Sequence, residues 1–458
     1  MDIKSIVPRS IRNYYHSIQS TFANMKYDFP AAKLKVIGVT GTDGKTTTVN
    51  MIYEILKAGG YKVALISTVC AKIDNKEINL GFHVTTPDPH IIPYLLKKVV
   101  DGGNKWVVLE VTSHALDQNR VANIVFSKAV FTNITPEHLD YHGNWKSYAL
   151  AKAKLINLVE EGGEIIYKED EQGGRFIEHM VKRNPKVLLK LICNDNLVKK
   201  SEVNKEGIKF KYLINGREEE VYIPILGSYN IANAQCAIKT CEGLVKNEVI
   251  IEALSKFKGV QGRMQVIKRK VPCMIIIDFA HTINALKRAL LTINSMKEKG
   301  KIFVVFGTAG LRDKTKRYKM GLIASKYADV IIITSEDPRI EKLKSINNQI
   351  LEGSTKSSSK LLKRFVNRDD FRKINIEDQK RIIDVRFKEG KKSLYVFDEE
   401  SPHSREDAIE LAIKLATKED IVLSTGKGHE TSMCFGKKEY KWSEYKTVIR
   451  AINKRYKK

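Results

Sequence analysis

Residues 38–48, Gly-Val-Thr-Gly-Thr-Asp-Gly-Lys-Thr-Thr-Thr, constrain this chain more than any other stretch. An apolar run over 34–39 precedes them and an amphipathic run over 46–58 follows. That order reads as strand, glycine loop, helix. Such a loop turns backbone N–H groups toward an anion, and the helix N-terminus adds partial positive charge. Lys45 can reach the outer phosphates of a nucleoside triphosphate, and Thr46 can hold Mg²⁺. The usual pattern has a glycine separated by four residues from the Gly-Lys pair. Here Val39 stands at that place, Gly38 comes one position early, and Gly41 supplies the flexibility.

At 458 residues the chain is too long for one core, so two or three domains are expected. No apolar stretch reaches the ~18 residues of a membrane span. Residues 1–29 carry basic side chains but no signal-peptide apolar core, so a cytoplasmic protein without a membrane span is expected. The six cysteines (Cys70, Cys193, Cys236, Cys241, Cys273, Cys434) lack paired metal-ligand spacing and mostly sit in apolar runs; they read as reduced thiols. Lys and Arg number 79 against 53 Asp and Glu, a net charge of +26. Lysine is spread along the whole chain with no localised, aromatic-interleaved basic module, which argues for solvated faces and against a nucleic-acid partner.

Residues 1–33 form a polar and aromatic lead-in. From residue 34 strands alternate with helices, which implies a mostly parallel α/β sheet. Strands are expected over 36–39, 63–66, 106–109 and 125–131, and helices over 45–58 and 145–160. Residues 190–225 read as β-rich, with a turn at Asn215-Gly216, and a helix is expected over 230–245. A second α/β series begins near residue 260, with strands over 274–278, 302–306, 330–334 and 421–424 and helices over 284–296 and 406–417. The expected architecture is therefore α/β: a P-loop-type central ATPase domain over 34–259 and a Rossmann-like C-terminal domain over 260–458. Within the latter, 346–397 is basic and reads as an irregular insertion or mobile loop.

Three clusters follow the glycine loop. Glu110 ends an apolar strand, where a carboxylate needs a cation; Mg²⁺ takes oxygen ligands and keeps waters, so Thr46, Glu110 and phosphate oxygens make an ordinary set. A salt-bridged strand end is the plainer reading of Glu110 alone. Phe131-Thr-Asn-Ile-Thr-Pro-Glu-His-Leu-Asp-Tyr-His142 packs two histidines and two acids beyond a strand, where α/β proteins bind ligands. Tyr148-Ala-Leu-Ala-Lys-Ala-Lys154 reads by spacing as a solvated helix face.

Taken in order, these segments resemble the Mur ligases. Gly-Thr-Asp-Gly-Lys-Thr-Thr, Thr85-Thr86-Pro87, Glu110-Val-Thr-Ser-His114, Glu137-His-Leu-Asp-Tyr-His-Gly143 and Ala151-Lys152 come first. Gly262-Arg-Met264, Asp278-Phe-Ala-His281, Arg312-Asp-Lys314, Asp337-Pro-Arg339 and Gly426-Lys-Gly-His-Glu430 follow. The set is most similar to the branch that adds the third residue of the peptidoglycan stem peptide. The resemblance implies that Gly41, Thr42, Asp43, Gly44, Lys45, Thr46 and Thr47 hold ATP phosphates. It implies that Thr46, Glu110, His138 and Lys152 organise Mg²⁺, with Lys152 carbamylated so that a cation becomes an oxygen ligand. Asn230, Asn233, Arg263, Asp278 and His281 would reach adenine, ribose or phosphates. Thr85, Thr86, Thr112, Gln118 and Arg120 would hold a UDP-muramoyl-dipeptide. Arg312, Glu336, Asp337, Pro338, Arg339, Gly426 and Glu430 would receive a diamino acid.

The implied chemistry is attack of a substrate carboxylate on the γ-phosphate of ATP, then capture of the acyl phosphate by an amine, with Lys45, Lys152, His138 and Glu110 as the catalytic set. The C-terminal domain is expected to close over the site, since water would hydrolyse an acyl phosphate. Arg339 suits a distal carboxylate and Glu430 a distal ammonium, which favours meso-diaminopimelate over lysine. The family's diaminopimelate form reads Asp-Asn-Pro-Arg; Glu336-Asp337 replaces Asp-Asn here, and the added negative charge is expected to tilt the pocket toward a cationic end. Family members also carry a first domain for the uridine diphosphate, whereas about 33 residues precede the ATPase domain here. Either a different substrate or a partner supplying that part is expected. A folylpolyglutamate- or cyanophycin-type ligase, and a non-catalytic nucleotide-binding partner, are the alternative readings.

Overall fold

The first half of the chain builds one sheet around the glycine loop. In the computed structural model, which describes residues 9–74, 76–79, 90–168, 172–184, 186–192, 198–269, 271–356 and 359–456, the chain divides into Met1–Lys258 and Gly259–Lys458. Thr85, Thr86 and Cys193 lie outside the described residues. The strands of the first sheet are β1 (Lys35–Thr40), β2 (Val63–Ile66), β3 (Cys70–Ile73), β4 (Lys76–Asn79), β5 (Trp106–Glu110), β6 (Phe126–Phe131), β7 (Val159–Lys168) and β8 (Leu188–Ile192). Their order is β4-β3-β2-β5-β1-β6-β7-β8. Only the β2–β3 and β3–β4 pairings are antiparallel.

β1 is buried at every position after Lys35. Its neighbours are β5 on one side and β6 on the other, in registers that set Val39 beside Glu110 and Thr40 beside Phe131. This is a topological switch point: the chain leaving β1 emerges between the carboxyl ends of two strands whose connections run to opposite sides. The lead-in contains helix α1 (Arg9–Lys26) and a short 3₁₀ turn over Pro30–Lys33.

Helix 145–160 was expected to be longer than it is. The α-helix spans Trp145–Ala153, tightens to 3₁₀ over Lys154–Leu158, and gives way to β7 at Val159, so Glu160 is in a strand. Gly162, at φ 75, and Gly163 lie inside that strand, where a helix-period reading fails. The β-rich stretch forms β9 (Val198–Val203), β10 (Ile208–Ile214) and β11 (Arg217–Ile223) as an antiparallel sheet. Its Asn215-Gly216 turn has positive φ at both residues (47 and 77), as a two-residue hairpin of this twist requires.

The second unit holds β12 (Gln265–Val266), β13 (Met274–Asp278), β14 (Ile302–Phe306), β15 (Val330–Ile333), β16 (Ser359–Phe365), β17 (Lys392–Phe397) and β18 (Ile421–Thr425), in the order β12-β13-β18-β14-β15-β17-β16. The stretch 346–397 is not an irregular insertion. It supplies β16, β17 and helices Leu343–Ser354 and Ile376–Lys388; Phe365 and Phe397 stack inside the core, and Phe371 meets both edge-on. Its lysines and arginines hid these elements because they lie on solvated faces of β16 and the 376–388 helix, diluting the apolar period. A hairpin, β19 (Ser432–Phe435) and β20 (Lys438–Lys441), follows. Cys70, Cys236, Cys241 and Cys273 are buried free thiols and Cys434 is partly exposed. No helix among the described residues is long and apolar enough to cross a membrane.

Candidate functional site

The loop after β1 is a cradle fixed from both sides. Gly41 and Gly44 have φ of 150 and 85, and helix α2 (Lys45–Ala58) starts directly after Gly44. A Cβ on Gly44 would lie 2.1 Å from Asn233 Oδ1, so both the backbone angle and the close approach demand glycine. Asn233 donates to Asn230 Oδ1 at 2.7 Å, and Asn230 to the Leu226 carbonyl at 2.7 Å, so helix Asn230–Cys241 presents this pair to the loop. From the β6 side, Asn133 Oδ1 accepts from Asp43 N (2.9 Å), its Nδ2 donates to Asp43 O (3.0 Å), and Thr132 Oγ1 donates to the same carbonyl (2.6 Å). Thr132 and Asn133 were overlooked as site residues, although both stand in the quoted 131–142 segment; only the β1–β6 pairing shows that they reach the loop.

Two lysines converge on one carbonyl. Lys45 Nζ donates to Gly41 O (3.0 Å) and Thr42 O (2.7 Å), and Lys152 Nζ donates to Gly41 O at 2.6 Å. Lys152 is 1% exposed, which overturns its reading as a solvated face residue. Burial, and then the Lys45 charge, hold its amine well below the ordinary lysine range, against the opposing pull of Glu137, Asp43 and Glu110.

Beside this pair, Thr46 Oγ1 donates to the Glu110 carboxylate, 3.1 and 3.0 Å from its two oxygens, and Thr68 N donates to Glu110 Oε2 at 3.1 Å. Glu110 is 2% exposed with no lysine or arginine among its hydrogen-bond partners here. A buried hydroxyl–carboxylate pair at the mouth of a phosphate cradle is the oxygen-donor chemistry Mg²⁺ takes, so the residues present fit that ion. Among the described residues no group of three His, Cys, Asp or Glu side chains could hold a metal alone.

His138 adopts a left-handed backbone (φ 52) and opens a short helix, Leu139–His142. Its ring lies 4.9 Å from His114 and 6.5 Å from Tyr148, centroid to centroid. Tyr148 is buried, shares a hydrogen bond of 3.0 Å with Thr42 Oγ1, and has its pKa pushed well up by burial. The glycine loop thus meets the histidine cluster through Tyr148. Thr112 caps helix Ser113–Asp117 by accepting from Ala115 N (3.2 Å), and Gln118 Nε2 donates to Tyr141 OH (3.1 Å), which donates to Asp117 (2.9 Å). Thr112, Gln118 and the histidine cluster therefore share one wall. The Arg120 carbonyl accepts from Ser20 of α1.

In the second unit Asp278 is buried and accepts from Met264 N (2.7 Å) and Ala280 N (2.8 Å). Burial raises its pKa, and those N–H groups oppose the shift. Arg263 lies over the Phe279 ring, 4.4 Å from guanidinium carbon to centroid, and His281 and His429 flank the same ring. Burial first, then Lys316 for His281 and Arg263 for His429, push both imidazoles down to about 3, so both stay neutral. A Cβ on Gly262 would meet Gly428 and His429 backbone at 2.4 Å, so the Gly-Arg-Met and Gly-Lys-Gly-His-Glu segments touch there.

The acidic cluster is bridged by a buried lysine. Asp337 does not offer its added charge freely: Lys427, fully buried, bonds Asp337 Oδ1 (3.0 Å) and Glu430 Oε2 (2.5 Å), and Cys434 N also donates to Asp337 Oδ1. Burial opposes the Lys427 charge, but Glu430 and Asp337 outweigh it and raise its pKa. Glu336 is 6% exposed and its Oε2 has no hydrogen-bond partner. Burial chiefly pushes its carboxyl up to about 7, with Asp337 and Glu430 adding to the rise and Lys316 and Lys427 opposing it. Arg339 is pinned in a left-handed conformation (φ 56) because β19 takes its N–H at Cys434 O (3.1 Å) and Gly436 N takes its carbonyl (2.7 Å). Pro338 O lies 1.9 Å from where a Gly310 Cβ would stand, and Gly426 (φ 109) faces Glu336. Arg312 is exposed. Lys427 is a further residue that sequence reading missed, because its role depends on two partners brought together by the fold.

A sign follows for Glu336. Its folded pKa of about 7 exceeds the ordinary 4.5, so its contribution is full below about pH 4.5 and is lost as pH rises through 7. Glu336→Gln escapes that loss. The variant should match wild type at low pH and be up to about 3 kcal/mol more stable at high pH. Thermal unfolding of both proteins across pH checks this, and parallel profiles would contradict it.

The cradle, paired lysines and Thr–Glu pair at the switch point of a parallel sheet define a nucleoside-triphosphate-binding α/β protein. Residues 39–241 match the Mur ligase middle domain, and residues 262–428 match the domain described as "Mur ligase, glutamate ligase domain". The chain is 32% identical over 438 residues to the UDP-N-acetylmuramoyl-L-alanyl-D-glutamate–2,6-diaminopimelate ligase of Clostridioides difficile (strain 630), covering 93% of this chain and 80% of that protein. A solved structure of a ligase with that name superimposes with a TM-score of 0.61 at 24% identity, over 96% of this chain and 84% of the other. Folylpolyglutamate synthase from Thermotoga maritima superimposes with a TM-score of 0.64 at 17% identity, over 89% of each chain. Both likenesses show the fold alone; the sequence match separates the branches. The chain belongs to the Mur ligase family and is an ATP-dependent, ADP-forming ligase.

Proposed function

We propose that the chain joins 2,6-diaminopimelate to UDP-N-acetylmuramoyl-L-alanyl-D-glutamate in an ATP-dependent amide synthesis that serves peptidoglycan. The relative named for that reaction, matched over 80% of its length, supports the substrates. The observation that carries the chemistry is the convergence of Lys45 and Lys152 on Gly41 O beside the Thr46–Glu110 pair. The substrate carboxylate attacks the γ-phosphate; the P–O bond to ADP breaks and an acyl phosphate forms. The amine then attacks the carbonyl carbon, phosphate leaves, and the ammonium proton passes to solvent or base. Lys45 offsets charge on the transferring oxygens, and the loop N–H groups hold the phosphates in line.

Thr46, Glu110 and His138 would hold Mg²⁺, which neutralises phosphate charge when bound. The lowered pKa of Lys152 supports its carbamylation: the neutral amine is the form that adds carbon dioxide, making an N–C bond and releasing a proton. Thr112, Gln118 and Arg120, with Thr85 and Thr86, would take the muramoyl-dipeptide. Arg263, Asp278, His281, Asn230 and Asn233 would take the nucleoside and phosphates. Arg312, Arg339, Glu336, Asp337, Pro338, Gly426 and Glu430 would take the amino acid. Lys427 shares one positive charge between Asp337 and Glu430, so the cluster keeps net negative charge for a distal ammonium, and Arg339 would meet a second carboxylate, which favours diaminopimelate over lysine. A separate partner for the uridine end finds no support in the comparisons and forms no part of the proposal. The reaction is placed in the cytoplasm, where its ATP is made. ADP release by the purified chain should require UDP-muramoyl-dipeptide and be faster with diaminopimelate than with lysine. Turnover with a folate or another carboxylate acceptor instead, or none with any, contradicts the reading.

A further inference from the structure

Helix α1 is amphipathic in the inverted sense. Its buried side is small and polar: Ser20, Ala23 and Asn24 are 0%, 4% and 2% exposed. Asn13 donates to Asp117 (3.2 Å), and Asn123 donates to Ser20 and Thr21 (3.4 and 3.2 Å). Its outward side is apolar. Tyr15, Ile18, Phe22 and Met25 are 59%, 38%, 65% and 56% exposed, and Phe29 just beyond is 41% exposed. The spacing 15, 18, 22, 25 places the four helical residues on one stripe of a helix with 3.6 residues per turn. A soluble surface helix turns that stripe inward; a contiguous outward one marks an interaction surface.

The charge of the segment selects the occupant. Every charged residue of α1 is basic (Arg9, Arg12, Lys26), and the chain carries +26 overall. Nearby Tyr94 is 42% exposed with Lys98 Nζ 4.7 Å from its ring centroid, while the acidic Asp28 is paired with Lys33 at 2.6 Å. A second copy would bring the same positive charges face to face. An anionic bilayer surface offers the opposite charge together with an apolar layer for aromatic side chains, which is how interfacial helices bind. We propose that α1 docks the protein on anionic lipid membranes, its Tyr15–Met25 stripe lying in the headgroup boundary without crossing the bilayer.

Sedimentation of the full chain with phosphatidylglycerol/phosphatidylcholine vesicles, against pure phosphatidylcholine, tests this. Retention should be about ten-fold or more greater on the anionic vesicles and should weaken in high salt. Phe22→Glu with Met25→Glu should lower it about ten-fold while ATP turnover stays as in wild type, because neither residue belongs to the catalytic machinery. Lys26→Glu should lower retention and flatten its salt dependence. Equal retention on both vesicles, no retention on either, or wild-type retention by the Phe22/Met25 variant overturns the proposal. So does a dimer in ultracentrifugation, abolished by the same variant, in a protein that ignores lipid; that result gives the stripe to a second copy.

Discussion

Lys45→Ala should lower kcat for ADP formation by about 10³-fold while leaving thermal stability almost unchanged. The first part follows from removing a positioned cation from a phosphoryl transfer, where catalysis is mainly electrostatic. The second follows from what Lys45 touches: two loop carbonyls, Thr42 O and Gly41 O, the latter keeping Lys152 as a donor. The variant has a further consequence at Lys152. The Lys45 charge is the second cause, after burial, of the depressed Lys152 pKa, so its removal lets that amine regain protons. A protonated amine does not add carbon dioxide. Lys45→Ala should therefore also weaken the carbamate signal in ¹³C NMR with labelled bicarbonate. Lys45→Ala/Lys152→Ala should in turn cost less than the product of the two single losses, because the sites are coupled. Steady-state rates for the three variants check this; multiplicative losses with an unchanged carbamate signal would refute it.

How much of this was readable beforehand depends on whether a residue acts through its chain neighbours or through the fold. The β1–loop–α2 unit was legible because its glycine angles, helix start and cation lie within a dozen residues. Glu110 was legible as a strand-end acid, but its bond to Thr46, 64 residues away in sequence, follows from β5 lying beside β1. Lys152 shows the limit. Its helix is nearly free of periodic apolar patterning, so spacing gives a solvated lysine, and only its family position marked it; the structure then buries it on Gly41 O. The same reason hid Asn133, Lys427 and the 346–397 elements. Their partners come from other strands, or their apolar faces are diluted by lysine. The likeness to Mur ligases supplied residue positions but not pairings: Asp337 adds a negative charge, and the buried Lys427 shares its own charge between Asp337 and Glu430.

The largest stability effect should come from a residue with no place in the chemistry. Arg405 is fully buried, and it ties together the ends of two parallel strands. Its guanidinium donates to Ser335 O (3.0 Å), just after β15, and to Thr425 O (2.8 Å), the last residue of β18. It also makes a two-pronged pair with Glu444 (3.0 and 2.7 Å), whose carboxylate further accepts from Trp442 Nε1 (2.9 Å) and Ser424 Oγ. The residues that follow these strand ends are Glu336-Asp337 and Gly426-Lys427, the acidic cluster and its counter-ion. Arg405→Met leaves Glu444 charged and buried without its partner, along with two carbonyls, and should cost about 3–5 kcal/mol. Arg405→Met with Glu444→Leu removes the charge at both ends and should recover much of that loss, since a buried ion pair gains little over a well-packed apolar pair. The double variant should still raise KM for the amino acid, because nothing then fixes the strand ends that present Glu336 and Lys427. Chemical denaturation separates the first two expectations and initial rates the third. If the single variant unfolds like wild type, Arg405 does not hold this end of the sheet.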